Sequence, residues 1–139
     1  MKHTLAIIKP DAVAAGRTGA VLAHLEEAGF RIRALRMTRL NPDQAEAFYS
    51  VHRERPFFQS LVSFMTSGPV IPMVLEGENA VPHLREVIGA TDPAEAAEGT
   101  LRALYAESKE RNAIHASDSD ENARAEIAFF FSRAQLLGL

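Results

Sequence analysis

"TLAIIK" (residues 4–9) places Leu5, Ala6, Ile7 and Ile8 in an unbroken apolar run between a threonine and a lysine. A strand with one wet face alternates apolar and polar residues. A run without alternation that includes β-branched residues is the pattern of a strand buried on both faces. Pro10 and Asp11 end the run, and no long apolar stretch with a small-residue cleavage site follows it. It therefore reads as a first strand, not as a signal peptide.

Outward from this strand, the chain alternates element types. "TGAVLAHLEEAG" (18–29) puts Val21, Leu22, Leu25 and Ala28 on one helical face, with Gly29 as the stop. "FRIRALRMTRL" (30–40) alternates arginines against Phe30, Ile32 and Ala34, and its phase slips at Leu35, as a bulge would cause. Asn41-Pro42 opens a helix to about Val51, with Gln44 where a capping box places it. "PFFQSLVSFMTSG" (56–68) is a short helix with Phe58, Leu61, Val62 and Met65 inward. "VIPMVLEG" (70–77) is a strand whose Pro72 limits ladder pairing at its start. "NAVPHLREVIG" (79–89) is helical, and residues 90–110 mix turn signals with short helical pieces. "RNAIHAS" (111–117) is the fourth strand and "DSDENARAEIAFFF" (118–131) a capped helix with Ala123, Ile127 and Phe130 inward. Four strands interleaved with helices suggest one sheet with helices packed over it.

The gross features fit this reading. With 139 residues and no repeat, low-complexity tract or linker, the chain (1–139) reads as one domain with a proper core. A net charge of −3 argues against a general affinity for nucleic-acid backbones. There are no cysteines, so no disulfide framework or thiolate metal site exists. No stretch approaches the roughly 20 apolar residues of a membrane span. The expected compartment is the cytoplasm.

Of five histidines, His3, His24, His52 and His83 read as ordinary surface residues. No His-x-x-x-His spacing suggests a helical metal site. His115 differs, because it lies between Ile114 and Ala116 near a strand end and faces the helix start "SDSDEN". It is either a satisfied core histidine or a nucleophile. Lys9 is either a solvated strand end or, by analogy with open α/β sheets, a ligand group. Arg85 and Arg102 sit beside glycine-containing loops. Phe57 lies about a quarter turn off the buried stripe that includes Phe58, so it is a stacking platform or a lid on the core. No glycine-rich phosphate loop is present, so any phosphate handled here must be met by side chains.

"IIKPDAV" (7–13), "RPFF" (55–58), "SGPV" (67–70), "VLEGENAV" (74–81), "GATDPAEAAEGTLR" (89–102) and "NAIHASDS" (112–119) together resemble the nucleoside diphosphate kinase family. The blocks occur in order from Thr4 to about Phe131, and Asn-x-x-His-x-Ser-Asp is the most specific of them. The resemblance implies a ferredoxin-like α/β sandwich with a four-stranded antiparallel sheet, which removes the parallel-sheet analogy for Lys9. It implies that His115 is phosphorylated in a ping-pong transfer from a nucleoside triphosphate, usually ATP, to a nucleoside diphosphate. Lys9, Tyr49, Arg85, Thr91, Arg102 and Asn112 would contact phosphates and ribose, Phe57 would stack on the base, and Ser117 and Glu126 would hold the histidine. Mg²⁺ would arrive on the nucleotide phosphates, with no protein ligands. A homo-oligomer, tetramer or hexamer, is implied as well, with no obligate nucleic acid or membrane partner.

The sequence departs from the family pattern at two places. Ala116 follows the histidine where glycine is usual, and Ala103-Leu104-Tyr105 stands where Gly-Asp-Phe is usual. Two competing readings are a non-enzymatic ferredoxin-like sensor and a family member turned binding protein. The retained histidine, lysine and arginines argue against the first.

Overall fold

The doubly buried run is β1 (His3–Ile8), and its residues from Thr4 to Ile8 are fully buried. In a computed structural model that describes residues 2–138, β1 is followed by α1 (Pro10–Ala14), α2 (Thr18–Glu27) and β2 (Arg31–Leu35). Next come α3 (Pro42–Phe48), a 3₁₀ turn (Ser50–His52), α4 (Phe58–Met65), β3 (Ile71–Glu76) and α5 (Ala80–Ile88). The chain continues with α6 (Leu101–Tyr105), β4 (Ile114–Ala116), α7 (Asp120–Phe130) and α8 (Arg133–Leu136).

The strands lie in the order β2-β3-β1-β4, and every neighbouring pair is antiparallel. This is the four-stranded antiparallel α+β sandwich expected from the resemblance. β1 is central because it pairs with β3 on one side, Leu5 opposite Val74, and with β4 on the other, Ile7 opposite His115. Its alternate residues feed two cores. Leu5 and Ile7 pack with Val74 under Phe58, Met65, Ile127 and Phe130 from α4 and α7. Ala6 and Ile8 pack with Met73 and Leu75 under Val21, Leu25, Leu84 and Ile88 from α2 and α5. Each fully buried leucine or isoleucine contributes roughly 1.5–3 kcal/mol, so both helical layers are anchored through one strand.

The α3 start has the expected reciprocal cap. The Asn41 side chain accepts from the Gln44 amide at 2.8 Å, and the Gln44 side chain accepts from the Asn41 amide at 2.9 Å. That satisfies two backbone donors no helix can satisfy itself.

Several boundaries differ from the sequence reading. The α3 helix stops at Phe48, and a separate 3₁₀ turn covers Ser50–His52. The slip in β2 falls between Ile32 and Ala34 rather than at Leu35. Arg33 is the extra residue there, and its guanidinium reaches Glu76 at 3.2 Å. Only Ile114–Ala116 of the expected fourth strand is extended, because Asn112–Ile114 make a tight turn. The segment after β1 forms a short helix instead of merely ending the strand. His3, His24, His52 and His83 are all half-buried rather than plain surface. His3 pairs with Glu76 at 3.2 Å, while His83 stacks on Phe30 and reaches the Ala28 carbonyl at 2.9 Å.

Candidate active site

Beside β1 and β4, helices of both layers, α3, α4 and α7 from one and α5 and α6 from the other, frame a cavity of about 620 Å³. His115, Lys9, Tyr49, Phe57, Arg85, Thr91, Arg102, Asn112 and Glu126 all line it. Ser117 is fully buried behind the wall. Residues spread from position 9 to 126 thus converge on one concave surface. The sheet causes this, because β4 pairs beside the end of β1 and carries His115 opposite Ile7, two residues from Lys9.

His115 is held from one side. Its Nε2 lies 2.6 Å from Glu126 Oε1, and the same oxygen accepts from Ser117 Oγ at 2.8 Å. Glu126 projects from α7, three residues after the buried Ala123 and one before Ile127, at the flank of the helix's buried face. Phe48 and Tyr49 meet the imidazole edge-on, with ring centroids at 5.3 and 6.1 Å. Burial is the largest influence on His115 and holds its pKa below the ordinary 6.5; Glu126 opposes this, and Lys9 and Arg102 add to it. The ring is therefore neutral at pH 7. With Nε2–H donated to Glu126, the lone pair sits on Nδ1.

Four cations, Lys9, Arg85, Arg102 and Lys109, line the cavity, and among the described residues none of them forms an ion pair. Lys9 Nζ donates to Asn112 Oδ1 at 2.8 Å and approaches the Glu110 carbonyl at 3.5 Å. Burial and then Arg102 bring the Lys9 ammonium down to about 8. Arg102 donates to the carbonyls of Gly89 (3.1 Å) and Ile114 (2.8 Å), and burial with Arg85 lowers it to about 10. Arg85 reaches the Ala116 carbonyl at 3.3 Å. Neutral carbonyls orient Lys9, Arg85 and Arg102 without cancelling their charge, which leaves these cations available to an anion.

Asn112 is anchored through its amide to the carbonyls of Lys109 (2.9 Å) and Thr91 (3.3 Å). The Tyr49 hydroxyl is buried with no partner. Burial and then Glu126 push its pKa up, so it remains a donor. At the mouth, Phe57 is 44% exposed and Phe58 only 5%, the inequality the helical wheel requires. Among the described residues no cluster of three His, Asp or Glu side chains is placed to hold a metal ion. Ala116 lies in β4 outside the left-handed region, so an alanine in the usual glycine position costs no backbone strain.

Sequence reasoning missed several residues. Phe48 packs on the histidine, and His52 lies 5.4 Å from the Phe57 ring. Asp118 lines the cavity and accepts from Asn122 Nδ2 at 2.6 Å. The four-residue spacing of Asp118 and Asn122 at a helix start was the one available signal. Phe48 and His52 gave none, because they look like ordinary helix residues until the fold brings them to the cavity.

A family model described as "Nucleoside diphosphate kinase" matches residues 2–136. The nucleoside diphosphate kinase of Chlorobaculum parvum is 58% identical over 137 residues, covering 99% of this chain and 98% of that protein. That of Chlamydia felis is 56% identical, covering 99% and 97%. Among solved structures, the Aquifex aeolicus nucleoside diphosphate kinase superposes with a TM-score of 0.94 at 52% identity, covering 96% of this chain and 97% of that one. The Halobacterium salinarum enzyme, solved in complex with CDP, gives 0.92 at 38% identity, covering 96% and 90%. By sequence and by fold, the chain belongs to the nucleoside diphosphate kinase family.

Proposed function

We propose that this chain transfers the terminal phosphate of a nucleoside triphosphate, usually ATP, to a nucleoside diphosphate through a phosphohistidine on His115. The single observation that carries this is a neutral imidazole, pinned at Nε2 by Glu126, facing a cavity lined by four cations without ion-pair partners among the described residues. In the first half-reaction Nδ1 attacks the terminal phosphorus, the bond to the bridging oxygen breaks, and the diphosphate leaves. The second half-reaction runs the same steps in reverse onto a different diphosphate. Lys9, Arg85 and Arg102 offset the charge on the transferring oxygens, and the unpaired Tyr49 hydroxyl supplies a neutral donor beside them. Asn112 and Thr91 bind the nucleotide's polar groups, while Ser117 and Glu126 fix the ring's tautomer. Mg²⁺ carried on the phosphates would supply further charge neutralisation; among the described residues no group of side chains is placed to hold a metal ion by itself, which fits an ion that arrives with its anion.

Phe57 at the mouth offers a face for stacking without base-edge hydrogen bonds, which supports broad base tolerance. The substrates place the protein in the cytoplasm, where it would maintain NTP and dNTP pools. β2 is an edge strand, with Leu35 in it 43% exposed and Met37 just beyond its end 60% exposed, and such an edge is a liability unless paired or covered. This supports a homo-oligomer, tetramer or hexamer, which light scattering behind size exclusion would resolve.

The test is incubation with ATP radiolabelled at the terminal phosphate. Acid-labile, base-stable label on the wild-type protein, absent from His115→Gln and discharged by GDP, is the expected result. No label on wild-type protein would make the chain a nucleotide-binding module instead.

A further inference from the structure

Ala113 adopts φ 73, one of two non-glycine residues with positive φ among those described. The Ile114 amide donates back to the Asn112 carbonyl at 2.9 Å, closing a three-residue turn. An L-residue holds this conformation only when its surroundings impose it. Here both polar groups of Ala113 are gripped by the segment after β1. Its amide donates to Asp11 Oδ2 at 3.1 Å, and its carbonyl accepts from the Lys9 amide at 2.9 Å. Asp11 does not line the cavity. The carboxylate is partly buried at the first turn of α1, and backbone amides there and at Ala113 oppose the upward pull of that burial on its pKa.

We infer that Asp11 is a positioning residue for phosphotransfer: its carboxylate holds the Ala113 turn that sets the direction of β4 and aims His115 into the cavity. This rests on the reading of His115 as the nucleophile. The turn lies between two functional side chains, but they depend on it unequally. Asn112 is tied independently to Lys9, Lys109 and Thr91. The backbone of His115 begins one residue beyond the turn, and its ring contact to Glu126 fixes rotation rather than strand direction. Loss of Asp11 should therefore slow the chemical step and spare binding.

The test compares Asp11→Asn and Asp11→Leu, side chains of similar size that differ in keeping an acceptor. Each is made alone and with Ala113→Gly, since glycine occupies the left-handed region without help. The readouts are the single-turnover rate of protein labelling at saturating ATP, the Kd for ADP, and far-UV circular dichroism. Asp11→Leu should slow labelling by on the order of ten- to a hundredfold, the scale of an ångström-sized misplacement, with the Kd unchanged. Asp11→Asn should fall between it and wild type, and Ala113→Gly should shrink the penalty of either. Labelling at the wild-type rate, or an equal loss in both backgrounds, overturns the inference. Should Asp11→Leu not fold, Asp11→Asn in the two backgrounds decides by the same criteria. Wild-type protein run alongside separates the readings: its failure to label removes His115 as nucleophile, whereas a labelled wild type with unaffected variants removes Asp11 alone.

Discussion

Glu126 Oε1 lies 2.6 Å from His115 Nε2 and fixes which nitrogen of the imidazole is free. A neutral ring has one donor and one acceptor nitrogen. Occupying Nε2 with a carboxylate makes it the donor and leaves the lone pair on Nδ1, the atom proposed to attack phosphorus. Glu126→Ala should lower kcat by about a hundredfold through a misdirected ring, with KM little changed. Glu126→Gln, which still offers an oxygen, should lose less. His115→Gln should abolish transfer while leaving fold and ADP binding intact. Steady-state kinetics with ATP and dTDP, together with calorimetric ADP titration, check all three. Activity near wild type in purified His115→Gln would sink the assignment.

The two limbs of the pH profile should belong to different residues. His115 is held below the ordinary histidine value, so the acid fall in kcat/KM should be centred below pH 6.5. Lys9 loses its proton near pH 8, so kcat/KM should fall again as pH rises through about 8. Lys9→Arg should move the alkaline limb upward by holding its charge. An unchanged alkaline limb in that variant would assign it to another group.

The same lysine separates stability from function. Folding lowers its pKa from 10.5 to about 8, so burial of the charged form costs about 3 kcal/mol. The unfolded chain binds more protons between those values, so stability rises with pH across that window and the penalty is complete below pH 8. Lys9→Met removes this cost at pH 7 but leaves Asn112 Oδ1 without its donor, which costs about 1–3 kcal/mol. The variant should therefore melt no lower than wild type while its KM for nucleoside diphosphates rises. Differential scanning calorimetry beside kinetics tests it, and a clear drop in Tm would show that the charge is better compensated than its surroundings indicate.

What the sequence made legible was local or strongly patterned. The apolar run at 4–9 identified the central strand because burial on both faces erases alternation, and Asn41 with Gln44 announced a cap through side chains three residues apart. The site residues were legible through resemblance, since Lys9 and Asn112 are far apart in sequence and only the sheet brings them within 2.8 Å. Position 113 was not legible. In "RNAIHAS" an alanine before isoleucine reads as strand, and only contacts from Lys9 and Asp11 hold it at φ 73. His83 was misread for the same reason, because its partner Phe30 is distant in sequence.

The two arginines should fail differently. Arg102 is buried and bonded to two carbonyls, whereas Arg85 is exposed and makes one longer contact. Both alanine variants should lower kcat more than they raise KM, because charge concentrates on the transferring phosphate in the transition state. Only Arg102→Ala should also destabilise the fold, by about 1–3 kcal/mol for the carbonyls left unpaired. The double variant should lose less than the sum if both act on one group. Effects confined to KM would mean that they merely collect substrate.

Phe57 should act through its face alone. It stands at the cavity mouth, 44% exposed, tilted against His52 at 5.4 Å, while its neighbour Phe58 anchors the helix in the core. Removing the ring therefore costs little packing, and Phe57→Ala should leave Tm nearly unchanged. A stacked base contributes about 1–3 kcal/mol whatever its identity, so affinity for ADP, GDP, CDP and dTDP should fall together. Titration of the four diphosphates against the variant decides the point. A loss restricted to purines or to one base would mean that His52 or another group at the mouth reads a base edge, and that tolerance of all bases has a different origin.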